Sequence, residues 1–162
     1  MKPYSMMTEA ELQVAVADYL RLQYPDVMFH SDFGSGVKLS AQQARRQKRQ
    51  NGGRRAWPDM EIAEIRLERG VDATTYTKRF SGGTYIGSAE LGDEAYLWSG
   101  LYIELKKEGT HLKKKNGDWA TEHIAEQAKV LEDLRSRGYC AEFAVGFEEA
   151  KKIIDEYLGS RA

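Results

Sequence analysis

Leu101-Tyr102-Ile103-Glu104-Leu105-Lys106 is the clearest strand in the sequence, six residues with β-branched and aromatic side chains and no breaker. Alternation along a strand puts Ile103 and Leu105 on one face and Glu104 and Lys106 on the other. On its own that pattern describes a strand with one solvated face. What raises it is Trp57-Pro58-Asp59 upstream. Proline cannot donate to a central ladder, so Pro58 marks the entrance of a strand and puts Asp59 at its mouth. A carboxylate there and one mid-strand on a neighbour can converge. Two carboxylates about 4 Å apart repel by about 4 kcal/mol at an effective dielectric of 20, and a divalent cation reverses that sign. Hard oxygen ligands suit Mg²⁺, the backbone carbonyl of Leu105 can complete the set, and Lys106 can hold or deprotonate a water or stabilise charge on a phosphoryl group. The residues thus point to metal-assisted phosphodiester hydrolysis.

Working outward, Thr8-Glu9-Ala10-Glu11 has the pattern of a capping box that opens a helix carrying Leu12, Val16, Tyr19 and Leu20, stopped at Tyr24-Pro25-Asp26. Val27–His30 predicts a first strand and Asp59–Leu67 a second. Ser40–Gln50 predicts a short polar helix ended by Gly52-Gly53. Tyr76–Phe80 and Thr84–Ile86 suggest a hairpin. After the Glu104 strand comes a Lys- and Gly-rich loop over Glu108–Asp118. Thr121–Arg137 follows as a helix with Ile124, Ala128, Leu131 and Leu134 inward and Gly138 as its stop. Tyr139–Val145 is a further strand, and Ala150, Ile153, Ile154, Tyr157 and Leu158 mark a last amphipathic helix. The order α-β-β-β-α-β-α predicts one mixed α/β domain over residues 1–162, interrupted by an insertion at about 70–97.

Composition agrees. The 162 residues are 41% hydrophobic and 30% charged, the range of one globular domain. One cysteine excludes an internal disulfide framework, no apolar run approaches a membrane span, and Met1–Ala10 has no hydrophobic leader, so a cytoplasmic location is expected. Net charge is −1, but from Asp32 to Asp59 no acid intervenes among Lys38, Arg45, Arg46, Lys48, Arg49, Arg54 and Arg55. A basic block on a neutral chain predicts a polyanion partner such as DNA. The bland alternative is a solvated loop.

Pro58-Asp59, then Ile103-Glu104-Leu105-Lys106, then Gln127 on the next helix resembles the PD-(D/E)XK nuclease superfamily, and within it the virus-type replication-repair nuclease branch (VRR-NUC). The resemblance runs from about Thr8 to Leu158. It implies a restriction-endonuclease-like αβββαβ core, with a mixed central sheet flanked by helices and a β-rich insertion between the second and third core strands. It also implies a Mg²⁺- or Mn²⁺-dependent DNA endonuclease of phage or prophage replication-repair type, acting as a homodimer on branched DNA. Asp59 and Glu104, with the Leu105 carbonyl, would be metal ligands, Lys106 the catalytic lysine and Gln127 an orienting residue. The family also has a first-helix glutamate among its catalytic and metal-binding residues. At 100° per residue Glu9 lies about 60° from Leu12, inside the apolar stripe, whereas Glu11 lies about 100° to the other side with a capping role, which favours Glu9. Ala56 stands where the family often has glycine. The alternative function is a nuclease fold that grips DNA without cutting it.

Overall fold

The computed structural model describes residues 3–32, 40–50, 56–69, 84–86 and 95–159. The core elements follow the expected order. Helix α1 (Glu9–Gln23) opens with the capping box: the Glu11 N–H donates to Thr8 Oγ1 (3.3 Å) and the Thr8 N–H to Glu11 Oε2 (2.8 Å). Strand β1 (Phe29–Ser31) follows, then helix α2 (Ala41–Gln50) and strand β2 (Met60–Ile62). Strand β6 (Leu101–Lys106), helix α3 (Glu122–Arg135), strand β7 (Cys140–Val145) and helix α4 (Phe147–Leu158) complete the core. Between β2 and β6 lie β3 (Arg66–Arg69), β4 (Thr84–Ile86) and β5 (Ala95–Trp98).

The main sheet is mixed, in the order β1-β2-β6-β7. β1 and β2 pair antiparallel, as do β2 and β6 (Met60 opposite Ile103), while β6 and β7 run parallel from Leu101–Cys140 to Lys106–Val145. Leu101, Ile103 and Leu105 pack with Leu12, Val16 and Leu20 of α1 and with Ala150, Ile154 and Leu158 of α4. Tyr102 and Ala141 face Val130, Leu131 and Leu134 of α3. The sheet is therefore covered on both faces, and all six residues of β6 are buried. That removes the solvated-face reading of Glu104 and Lys106. The stop after α3 is a Schellman motif: Gly138 takes φ +86°, the Tyr139 N–H bonds the Leu134 carbonyl and the Gly138 N–H the Arg135 carbonyl.

Two boundaries differ from expectation. The Asp59–Leu67 strand is split: β2 ends at Ile62, and the chain crosses to a second sheet of order β3-β5-β4, so the inserted sheet begins at Arg66. The Gly52-Gly53 stop, Tyr76–Phe80 and most of the insertion lie outside the described residues. The cause of the split is tertiary. Tyr157 donates its hydroxyl to the Glu64 carbonyl at 2.7 Å. Arg66 donates from Nη1 to the carbonyls of Glu156 and Tyr157, with its guanidinium 5.6 Å from the Trp98 ring centroid and 5.9 Å from that of Tyr157. A cation at a helix C-terminus meets both the carbonyls left without intrahelical partners and the negative end of the dipole. Through Tyr96 and Trp98 the second sheet shares the main core.

Hydrogen bonds to charged groups are worth about 1.5–3 kcal/mol. Replacing Arg66 with Met, which keeps the apolar stem, should lower Tm by about 5–10 °C in calorimetry. An unchanged Tm would mean that the tie between α4 and the second sheet contributes little.

Candidate active site

Three elements meet at the C-terminal end of β6. Strand β2 begins at Met60, opposite Ile103, so Leu105 lies beyond its first pair. Backbone groups alternate along β6: the Gly100 and Lys106 carbonyls accept from Cys140 and Gly146 on the β7 side, which turns the Leu105 N–H and carbonyl the other way. The Leu105 N–H finds a side chain there, donating to Asp59 Oδ2 at 2.9 Å. The Asp59 and Glu104 carboxyls are near enough for the Asp59 charge to act on Glu104. Lys106 Nζ donates to Glu104 Oε1 at 2.8 Å, and Gln127 Nε2, reaching across from α3, donates to the same oxygen. Glu104, Lys106 and Gln127 are 3%, 6% and 5% exposed, so these are interior contacts.

Burial dominates the electrostatics. It raises the Glu104 carboxyl to about 8, assisted by the Asp59 charge and opposed by Lys106. Burial also raises Asp59 and Glu9 adds to the rise, while the Leu105 N–H and Lys106 oppose it. Two acids that resist ionising together are a pair short of positive charge.

Glu9 stands apart. Its side chain is 49% exposed and its Oε1 lies 4.0 Å from Lys106 Nζ. Glu11 is held in the cap, which leaves Glu9 as the first-helix acid facing the site. Among the described residues no three His, Cys, Asp or Glu side chains form a group that could hold a metal, so Glu9 does not complete one with Asp59 and Glu104. The candidate ligands are all hard oxygens: the two carboxyls, and the Leu105 carbonyl, which strand alternation turns to the Asp59 side of β6. Gln127 Oε1 is buried beside them with no hydrogen-bond partner. A divalent cation of the Mg²⁺ type fits this chemistry, because it relieves the repulsion and accepts hard ligands.

The basic segment is described in part. Arg45, Arg46 and Arg49 are exposed on α2 and line a shallow concavity with Gln42, at the i, i+3, i+4, i+7 spacing of one helix face. Ser40 and Gln43 cap that helix reciprocally. Lys38, Arg54, Arg55 and the Lys48 side chain lie outside the described residues. The Lys-rich loop after β6 contains an antiparallel bridge between Lys113 and Trp119, with Lys113 Nζ 3.4 Å from the Trp119 ring centroid. Trp98 is core. Trp57 is 37% exposed, edge-on to Tyr102 at 5.7 Å. Gln13 escaped the sequence reading. It sits one turn after Glu9 and bonds to Ser31 Oγ, the Asp32 carbonyl and the Asp59 carbonyl. Its only signal was a polar residue beside Leu12.

Among solved structures, a protein described as a "VRR_NUC domain protein" matches with a TM-score of 0.54, covering 98% of this chain and 92% of that one at 20% sequence identity. The likeness shows the fold: a VRR-NUC-type mixed sheet flanked by helices. No protein-family model matches the sequence, and no curated protein does.

A carboxyl raised in the folded chain binds more protons folded than unfolded, so its contribution to stability is full below its unfolded pKa and is lost as pH rises through the folded one. In EDTA, Tm should therefore fall between about pH 4.3 and 8. Glu104→Gln should flatten that fall and melt several degrees above wild type at pH 8.5. Parallel Tm profiles for the two proteins would show that Glu104 is not held protonated.

Proposed function

We propose that the chain is a Mg²⁺- or Mn²⁺-dependent DNA nuclease that hydrolyses phosphodiester bonds at Asp59, Glu104 and Lys106. The observation that carries this reading is a buried and a half-buried carboxyl, Glu104 and Asp59, beside a buried lysine, at the open end of a strand, in a fold shared with a VRR_NUC domain protein. Structural burial alone gives no reason to bring two acids together without a cation.

Asp59, Glu104 and the Leu105 carbonyl would hold the ion. When bound, it supplies Lewis-acid polarisation of the phosphodiester. The chain's own residues do the rest. Lys106 Nζ, fixed by Glu104 at 2.8 Å, presents an ammonium to the charge that accumulates on the phosphoryl oxygens, in a site that excludes most water. Glu9, near Lys106 and half-exposed, would accept a proton or orient a water on the solvent side. Gln127 keeps Glu104 Oε1 directed into the site. The basic face of α2 would grip DNA phosphates through Arg45, Arg46 and Arg49, with Lys38, Lys48, Arg54 and Arg55 extending the grip.

The reading extends to an endonuclease of phage or prophage replication-repair type, working in the host cytoplasm as a homodimer with a preference for junctions or flaps. The sequence resemblance supports this extension. An apolar groove on α1, with Val14 57% and Leu22 78% exposed, offers surface for a second copy. Light scattering at micromolar concentration should give the mass of two chains, and a monomer removes the dimer.

Labelled linear, flap and four-way-junction DNA should be cut with Mg²⁺ or Mn²⁺. Glu104→Ala and Lys106→Ala should each lose at least about 100-fold in rate. Wild type that binds these substrates and cuts none would be a binding module on a nuclease fold. Cutting that survives Glu104→Ala puts the site elsewhere. Replacing Arg45, Arg46 and Arg49 together with Ala should reduce the slope of log affinity against log salt by about 2.7. An unchanged slope removes α2 from the DNA interface.

A further inference from the structure

We infer that Gln13 is a positioning residue that holds Asp59 in register with α1 and so sets the spacing of the carboxyl pair. The inference rests on the nuclease reading for its role and on geometry for its content. Gln13 Nε2 donates to Ser31 Oγ at 2.8 Å, to the Asp32 carbonyl, and to the Asp59 carbonyl at 3.2 Å. An amide has two hydrogens for these three acceptors, so at least one is shared. The bonds tie α1 to the end of β1 and the entry of β2, three segments distant in sequence. The Asp59 carbonyl also accepts the Asp32 N–H at 2.9 Å. One face of α1 carries both Glu9 and, four residues on, Gln13. The same helix that brings Glu9 to 4.0 Å from Lys106 therefore grips the backbone of Asp59, so both acids are tied to α1.

The position calls for a neutral donor. A carboxylate here would face the Asp32 and Asp59 carbonyl oxygens, and a hydrocarbon would leave them without this partner. Pro58 contributes no N–H, so backbone pairing cannot anchor Asp59 from its own N-terminal neighbour. Without Gln13 the Asp59 peptide keeps the Asp32 bond and loses its link to α1. A displacement of about 1 Å at a catalytic group can cost about 100-fold in rate.

Gln13→Met keeps the length of the side chain and removes its donors. Its effect is read first without activity, from amide exchange by NMR. The Leu105 amide, which donates to Asp59 Oδ2, should exchange at least tenfold faster, while the Cys140 and Gly146 amides, bonded to the β7 side of β6, keep wild-type rates. Mn²⁺ affinity by calorimetry should fall at least fivefold. With DNA, kcat should fall 10- to 100-fold and KM stay within twofold. Unchanged Leu105 exchange overturns the inference. So does uniform acceleration of all three amides, which would make Gln13 a packing residue. If wild type cuts no DNA, the nuclease reading fails separately, and Leu105 exchange still decides whether Gln13 holds Asp59.

Discussion

A carboxyl group inside a protein stays charged only with help, and the end of β6 holds two. The Asp59 charge disfavours ionisation of Glu104, Glu104 takes both Lys106 and Gln127 on one oxygen, and Asp59 takes the Leu105 amide. Most of the architecture around them follows from that constraint. β6 must be buried on both faces to lower the local dielectric. β2 must begin late, at Met60, so that the side chain of Asp59 before it can reach the Leu105 amide. α3 must present an amide, because a charged side chain at Gln127 would either repel Glu104 or neutralise it permanently.

Solvent exclusion has the opposite effects on the two sides of the chemistry. It destabilises the chain whenever both carboxyls are ionised, because the acids resist ionising together. It also strengthens whatever positive charge the site receives, since Coulomb attraction grows as the dielectric falls. α1 and α4 provide the rigidity to carry this strain. Tyr19 and Tyr24 donate their hydroxyls to Asp155, and Tyr4 stacks on Phe147 at 4.1 Å. Partial burial disfavours the Asp155 charge, but the two tyrosines and Lys151 outweigh it and hold the carboxyl below its ordinary range.

What could be read from sequence was what local rules decide. The Thr8–Glu11 cap, the β6 alternation and the Gly138 stop all depend on neighbours within a few residues, and each is where it was expected. The Asp59–Leu67 strand was misread because its break is imposed by the end of α4, through Tyr157 and Arg66, which are about 90 residues apart in sequence. Pro58-Asp59, Glu104 and Lys106 were legible because their types and order are distinctive. Gln13 was not: its partners are a serine hydroxyl and two backbone oxygens, and a backbone oxygen leaves no trace in a residue pattern.

The same distances along the chain have a kinetic meaning. Glu9, Asp59, Glu104 and Gln127 come from four separate stretches, and the face of β6 that carries Leu105 is closed by α4, the last of the described elements. Such non-local topology folds late and as a whole. A ribosome-bound chain that has delivered Lys106 still lacks the helix that orients Glu104 and the helix that seals the sheet. A site built this way is assembled only once α3 and α4 have both folded onto the sheet.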